Sequence, residues 1–173
     1  MQVLEPRAAI VLTVAAVAVV WDIRTRRIPN VLTFGAAGAA LVYALATGGT
    51  SGLGLAAAGW FAGALLFFPF FALGGMGAGD VKLLAALAAW LGPLDAVWLA
   101  IFAAMAGGVF GVIVALFHGY LRQALANVWL MLVHWRVSGL QPIAGLTLRD
   151  TRAPRLAYAI PIMIGVLCTL WRR

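Results

Sequence analysis

Charged residues are scarce in this chain of 173 residues, and acidic ones are the scarcest. Only 10% of the residues are charged and only five are acidic, whereas 65% are hydrophobic and the mean hydropathy is +1.05. Soluble domains contain about 25% charged residues, so this composition excludes an ordinary soluble domain and predicts an integral membrane protein. The net charge of +7 then indicates the lysine and arginine bias of cytoplasmic loops rather than a surface that binds nucleic acid.

Cysteine and histidine are nearly absent as well. The one cysteine, Cys168, lies in an apolar stretch, which excludes an intrachain disulfide and a cysteine-based zinc site. His118 and His134 have no cysteine or carboxylate at ligand spacing, and Ser51 and Ser138 have no histidine at the spacing of a catalytic motif. The sequence therefore predicts no metal and no cofactor, and it disfavours a serine triad.

Long apolar stretches predict an all-α fold, a polytopic membrane helical bundle that forms a single domain over residues 1–173. Glycine, proline and charged residues divide the chain into six predicted spans, at 7–21, 31–46, 52–73, 81–91, 94–117 and 156–171. The fourth is about half as long as a bilayer crossing requires. Pro29 stops the first helix, and Asn30 is a suitable N-cap for the second. Two glycine pairs at G-x-x-x-G spacing predict close helix packing, namely Gly59/Gly63 and Gly107/Gly111.

A long loop at 118–155 separates the last two spans. Its apolar residues recur at helical spacing on one face, at Leu121, Leu125, Val128, Trp129 and Leu132. This pattern predicts an amphipathic helix over 119–136 that lies in the membrane interface before the last span. The alternative is a seventh span, but the apolar part of this stretch is short for a crossing.

Basic residues are distributed unevenly between the two sides of this six-span topology. One side has the larger set, namely Arg24, Arg26, Arg27, Lys82, Arg122, Arg136, Arg149, Arg152 and Arg155. The other side has only Arg7, Arg172 and Arg173. Because cytoplasmic loops are the ones enriched in lysine and arginine, we expect a bacterial cytoplasmic (inner) membrane protein with both termini outside.

The same topology sorts the five acids. Glu5 and Asp95 fall on the outer side and Asp150 in the long loop, which leaves Asp22 and Asp80 as one pair at matching depth on the cytoplasmic side. Acids in membrane segments are costly and indicate functional sites. Two carboxylates that share a proton can hydrolyse a peptide, one activating water and the other polarising the carbonyl group. The structural alternatives are an ion pair between Asp22 and a neighbouring arginine, and an N-cap role for Asp80.

A glycine-rich segment precedes Asp80 and separates two apolar stretches. It reads Gly74-Gly75-Met76-Gly77-Ala78-Gly79-Asp80-Val81-Lys82. Glycine lets an extended substrate approach the backbone closely, and a plain helix cap does not require this. The segment therefore favours a functional role for Asp80 over a capping role.

Three segments resemble motifs of a known family. Gly77-Ala78-Gly79-Asp80-Val81-Lys82 resembles the GxGDxK motif of the GxGD membrane aspartic proteases. The segment Asp22-Ile23-Arg24-Thr25-Arg26-Arg27-Ile28-Pro29-Asn30 resembles the first-aspartate segment of the prepilin leader peptidases. Arg155-Leu156-Ala157-Tyr158-Ala159-Ile160-Pro161, followed by Gly165, is similar to that family's last-helix segment. The three segments occur in the family's order along nearly the whole chain.

This resemblance implies an aspartic endopeptidase that cleaves the N-terminal leader of type IV or Flp-type prepilins at the cytoplasmic membrane face. In such a peptidase Asp22 and Asp80 are the catalytic pair. The resemblance further implies supporting or substrate-binding roles for Gly77, Gly79, Lys82, Arg27, Pro29 and Asn30. The implied partners are a prepilin or pseudopilin, the lipid bilayer and the pilus-assembly machinery.

The chain departs from the larger members of that family. Those members carry an N-terminal cytoplasmic domain with paired CxxC motifs that is linked to N-methylation, and this sequence has neither. It therefore resembles the short, peptidase-only branch of tight-adherence (Flp) systems. Two other functions stay open from the sequence: a small transporter or ion-site subunit that uses Asp22 and Asp80, and a non-catalytic assembly scaffold that docks through Arg149, Arg152 and Arg155.

Overall fold

The computed structural model describes residues 6–139 and 157–173, and the regular structure in these ranges is helical. The described helices are α1 (Pro6–Thr25), α2 (Asn30–Ala72), α3 (Ala78–Leu91), α4 (Pro93–Phe117), α5 (Leu121–Ser138) and α6 (Ala159–Trp171). The all-α prediction is confirmed. The predicted start of the last span at residue 156 lies outside the described residues, and the helix itself begins at Ala159.

Helix α2 is two helices joined at Gly49. That residue has φ 59° and ψ −151°, a conformation that favours glycine because it has no Cβ. A Cβ at Gly52 would overlap the carbonyl oxygen of Ala44. In one straight helix these residues, eight positions apart, would be separated by about 12 Å along the axis. The chain therefore turns back at Gly49, which is where the sequence predicted the break between the second and third spans.

Helix α3 is the centre of the bundle. Its residues from Leu83 to Leu91 are all buried, so this short helix is enclosed on every side. The second half of α2 approaches it closely, because a Cβ at Gly59 would overlap the carbonyl oxygen of Ala88 and one at Gly63 would lie 2.7 Å from the Ala88 Cβ. The first half of α2 contacts it from another side, where the Trp90 Nε1–H donates to the Ala36 carbonyl oxygen at 3.0 Å. The predicted packing role of the first glycine pair is confirmed.

Helices α4 and α6 pack together through a second set of small residues. A Cβ at Gly165 would lie 2.9 Å from the backbone nitrogen of Ala103, and a Cβ at Gly107 would overlap the Tyr158 hydroxyl. Gly111 has open space around it, so only the first glycine of the second pair has the predicted packing role. Helix α5 covers most of the predicted amphipathic segment and, among the described residues, packs only against α4.

Three of the described helices, α1, α2 and α4, are long and apolar enough to cross a membrane. Their outward residues are largely apolar, as expected for helices that face lipid. Helices α3 and α6, with 14 and 13 residues, are shorter than a complete crossing requires. The structure thus agrees with a membrane protein, and the count of six spans stays a prediction.

Candidate active site

Asp22 lies in the last two turns of α1 and faces the interior of the bundle. Its side chain is buried, with 6% of the residue exposed. Its Oδ2 atom accepts a hydrogen bond from the backbone N–H of Ala159 at 3.2 Å. Because Ala159 is the first residue of α6, the Asp22 side chain pairs one of the backbone N–H groups that have no partner within that helix. The sequence separation between these partners is 137 residues.

Asp80 lies in the first turn of α3, ahead of the apolar run 81–91. The N-cap of this helix is Gly77, not Asp80, so the structural alternative of an N-cap at Asp80 is wrong. The Asp80 backbone N–H donates to the Gly77 carbonyl oxygen at 3.2 Å, and the Gly77 N–H donates in return to the Asp80 carboxylate. The bond from the N-cap N–H to the side chain of the third residue is one of the two bonds of a capping box. It holds the Asp80 carboxyl group against the glycine-rich segment.

The two acids lie at the same end of the bundle, as the sequence predicted, and they interact. Burial, and next the negative charge of Asp22, raise the pKa of the Asp80 carboxyl from 3.8 to about 7, whereas the hydrogen bond from Gly77 lowers it. Both causes favour the neutral acid. Asp80 therefore keeps its proton up to about pH 7, beside a second acid, and such a group can act as a general acid.

Tyr158 is a further residue of this site, and no role was predicted for it. It precedes α6, interacts electrostatically with Asp80, and donates a hydrogen bond from its hydroxyl to the Ala103 carbonyl oxygen at 3.4 Å. Its ring packs edge-on against Phe67, with ring centroids 6.0 Å apart. The signal for it was present in the last-helix segment, where Tyr158 and Ala159 are adjacent, but helical spacing alone does not relate that segment to Asp22 or Asp80.

Two of the predicted supporting residues, Lys82 and Asn30, form a bridge between the start of α3 and the start of α2. The Lys82 Nζ donates to the Asn30 Oδ1 at 3.0 Å and lies 5.2 Å from the centroid of the Phe34 ring. The prediction that Asn30 is the N-cap of α2 is wrong, because the N-cap is Pro29 and Asn30 is the first helical residue. A Cβ at Gly79 would lie 3.3 Å from the Ile28 Cβ, so glycine at this position lets the start of α3 contact the turn between α1 and α2.

Arg27 is the one predicted supporting residue whose side chain has no contact that defines a role. It is exposed, and its carbonyl oxygen accepts a hydrogen bond from the Thr25 hydroxyl at 3.0 Å. The contact orders the turn between α1 and α2, in which the preceding residue, Arg26, has a positive φ of 54°. A direct role of Arg27 in the site stays a prediction.

The third described acid, Asp95, lies at the opposite end of the bundle. Arg172 and Arg173 both form ion pairs with it, the Arg172 contact at 2.7 Å, and Arg173 also donates to the Leu91 carbonyl oxygen at 3.1 Å. This confirms the predicted separation of Asp95 from Asp22 and Asp80. Within residues 6–139 and 157–173, no group of three or more histidine, cysteine, aspartate or glutamate side chains could hold a metal ion.

Fold and site together define a helical membrane protein with two interacting acids at one end, of which Asp22 is buried and Asp80 is half-buried. The family model described as the type IV leader peptidase family matches residues 9–116, and the chain belongs to that family. Comparison with curated proteins and with solved structures gave no match. The family indicates a hydrolase, a peptidase of the prepilin type, whose substrates are prepilin-like proteins. The matched segment contains both acids, and α6 lies beyond it.

Proposed function

We propose that the protein is an aspartic endopeptidase in which Asp22 and Asp80 together activate water. The observation that supports this most directly is the electrostatic interaction of the two carboxyl groups, which come from α1 and α3 and lie at the same end of the bundle. Among the described residues, the third acid is neutralised by two arginines at the other end. Asp22 and Asp80 are therefore the best candidates for acid–base chemistry.

The environments of the two acids suggest a division of roles. Asp22, with its hydrogen bond from the α6 N-terminus, is the ionised base that removes a proton from water as the water attacks the peptide carbonyl carbon. Asp80, neutral at the start, donates its proton to the carbonyl oxygen and stabilises the tetrahedral intermediate. When the C–N bond breaks, Asp22 passes the proton it took from water to the leaving amine. Asp80 recovers its proton as the new carboxyl group forms.

The finer identity of the reaction is part of the same proposal. The substrate is a type IV or Flp-type prepilin whose leader is removed at the cytoplasmic face of the inner membrane. The arginines beside the site, at 24, 26 and 27, support this orientation because cytoplasmic loops are the basic ones. Association with pilus-assembly machinery is the corresponding expectation for partners.

The test is prepilin cleavage by isosteric variants of three acids. Asp22→Asn and Asp80→Asn each remove one acid–base group with little change of shape, and we expect losses of at least about 10²–10⁴-fold in cleavage rate. Asp95→Asn is the matched control, since it removes an acid at the opposite end and should keep cleavage near the parent rate. Cleavage at the parent rate by either of the first two variants would refute the paired-acid mechanism.

No specific observation favours the other two functions. In an ion-site subunit the acids would lie near the bilayer midplane, whereas Asp22 and Asp80 lie in terminal turns of their helices. The scaffold hypothesis depends on Arg149, Arg152 and Arg155, which lie outside the described residues.

A further inference from the structure

The start of α6 is connected to both acids of the candidate site. The backbone N–H of Ala159, the first residue of the helix, donates to the Asp22 carboxyl group at 3.2 Å. Tyr158, the residue before it, interacts electrostatically with Asp80. The acids themselves belong to α1 and α3. The position of residues 158 and 159 therefore affects how the two carboxyl groups lie relative to each other.

The Tyr158 side chain is held between two helices that carry neither acid. Its ring packs edge-on against Phe67 of α2, which is fully buried, with ring centroids 6.0 Å apart. Its hydroxyl donates to the Ala103 carbonyl oxygen of α4 at 3.4 Å. These contacts place the residue that begins the connection to the acids against the part of the bundle that supports them.

Gly107 of α4 leaves the space that the Tyr158 ring occupies. A Cβ at Gly107 would overlap the Tyr158 hydroxyl and would lie 2.7 Å from two of its ring carbons, Cε2 and Cζ. Gly107 and Ala103 are four residues apart, so they lie on the same face of α4. Any larger residue at position 107 must displace the tyrosine ring or the start of α6.

The rest of α6 cannot easily follow such a displacement. A Cβ at Gly165 would lie 2.9 Å from the backbone nitrogen of Ala103 and 3.0 Å from the Leu99 carbonyl oxygen, so the backbones of α6 and α4 are already in close contact. A shift of the Tyr158 ring is therefore transmitted to the backbone of residues 158 and 159. The Ala159 N–H, and with it the Asp22 carboxyl group, moves as a result.

We propose that Tyr158 is a positioning residue for the acid pair, and that Gly107 is required because it accommodates the tyrosine ring. The inference rests on the proposed function, because it requires Asp22 and Asp80 to act on the same peptide bond. Tyr158 takes no part in the proton transfers, since its hydroxyl donates to a backbone carbonyl group. It acts through the Ala159 N–H, which orients the Asp22 carboxyl group.

The first test compares Gly107→Ala with Gly111→Ala. Gly111 lies one turn further along α4 and has nothing within 4 Å of an added Cβ, so both variants gain the same helix preference and only the first displaces Tyr158. We expect Gly107→Ala to lower kcat for prepilin cleavage, per folded enzyme, by about 10–100-fold, because small misplacements of reacting groups have effects of this size. KM should stay within about twofold of the parent value. Equal kcat values for the two variants would overturn the proposal.

The second test asks whether the effect of Gly107→Ala depends on the tyrosine. Tyr158→Phe keeps the ring contact with Phe67 and should retain kcat within about fivefold of the parent, since it removes one long hydrogen bond. Tyr158→Leu removes the outer ring atoms and should lower kcat about as much as Gly107→Ala. In the Tyr158→Leu background, Gly107→Ala should change kcat by less than about twofold. Losses that multiply in the double variant would contradict the proposal.

The pH profile separates a positioning role from a general loss of packing. Among the described residues, the groups that face Asp80 are Asp22, the Tyr158 side chain and the Gly77 N–H. The negative charge of Asp22 is one cause of the raised pKa of Asp80. A displaced Asp22 should therefore lower that pKa and move the decrease in kcat to lower pH.

We expect this shift in both Gly107→Ala and Tyr158→Leu relative to Gly111→Ala, so the test remains available where Gly107→Ala does not fold. A reduced kcat with an unchanged midpoint would indicate a structural role alone and would overturn the proposal. Failure of the paired-acid mechanism gives a different result. In that case Asp22→Asn cleaves at the parent rate, whereas failure of the positioning role leaves Asp22→Asn inactive and Gly107→Ala fully active.

Discussion

The close approach of α2 to α3 at Gly59 gives the sharpest prediction about stability. A Cβ added there would overlap the Ala88 carbonyl oxygen and lie 3.1 Å from the carbonyl carbons of Ala88 and Gly92. All these atoms are backbone, so no side-chain rotation relieves the overlap, and inserting atoms into such a contact costs about 1–3 kcal/mol. Gly59→Ala also gains the helix preference of alanine over glycine, about 0.5–1 kcal/mol, which partly conceals the steric cost.

Gly54→Ala isolates the steric part. Gly54 lies in the same half of α2 and has nothing within 4 Å of an added Cβ, so this variant gains the helix preference alone. The difference in free energy of unfolding between the two variants is then the steric cost, about 1–3 kcal/mol, with Gly59→Ala the less stable. Unfolding in detergent, followed by tryptophan fluorescence, measures the difference. Equal stability of the two variants would refute the packing of α2 on α3.

Two other predictions concern the acid pair and the bridge beside it. Since the pKa of Asp80 is about 7, its proton is bound in the folded protein below pH 7, so cleavage should decrease as the pH rises through about 7. The unfolded carboxyl titrates near 3.8, so the stability that Asp80 contributes should also decrease from about pH 4 to 7, and Asp80→Asn should remove this slope in pH-dependent unfolding. Lys82→Met and Asn30→Ala should each weaken cleavage and combine less than additively, since both break one hydrogen bond; a double-mutant cycle with strictly additive losses would contradict the bridge.

Much of the helical layout was predictable because it depends on local signals. Residues with special backbone requirements mark helix boundaries here: Pro29 immediately precedes α2, and Gly49 breaks it into two helices. The pairing of Asp22 with Asp80 at one end then followed from counting the helices between them and from the scarcity of other acids. This inference needed no contact information. Successive spans alternate in direction, so the end of the first predicted span and the start of the fourth lie on the same side of the membrane.

The contacts that define the site were not predictable in the same way. Asp22 accepts its hydrogen bond from Ala159, and no local pattern relates two residues so distant in sequence. Likewise, an acid next to a predicted helix start can be the N-cap or the third residue of the helix. Asp80 is the third residue because the backbone becomes helical at Ala78. Asn30 illustrates the same limit, because its side chain binds Lys82 of another helix.

The hydrogen bond between Asp22 and Ala159 also couples the acid pair to the docking of the last helix. A buried carboxyl oxygen needs a hydrogen-bond donor, and the donor to Asp22 is the backbone N–H of Ala159, the first residue of α6. The position of the Asp22 side chain therefore depends on the docking of α6. Tyr158 adds to this coupling because its ring and hydroxyl fix the start of α6 against α2 and α4. The geometry of the acid pair thus depends on the packing of the last helix, although α6 lies outside the segment that identifies the family.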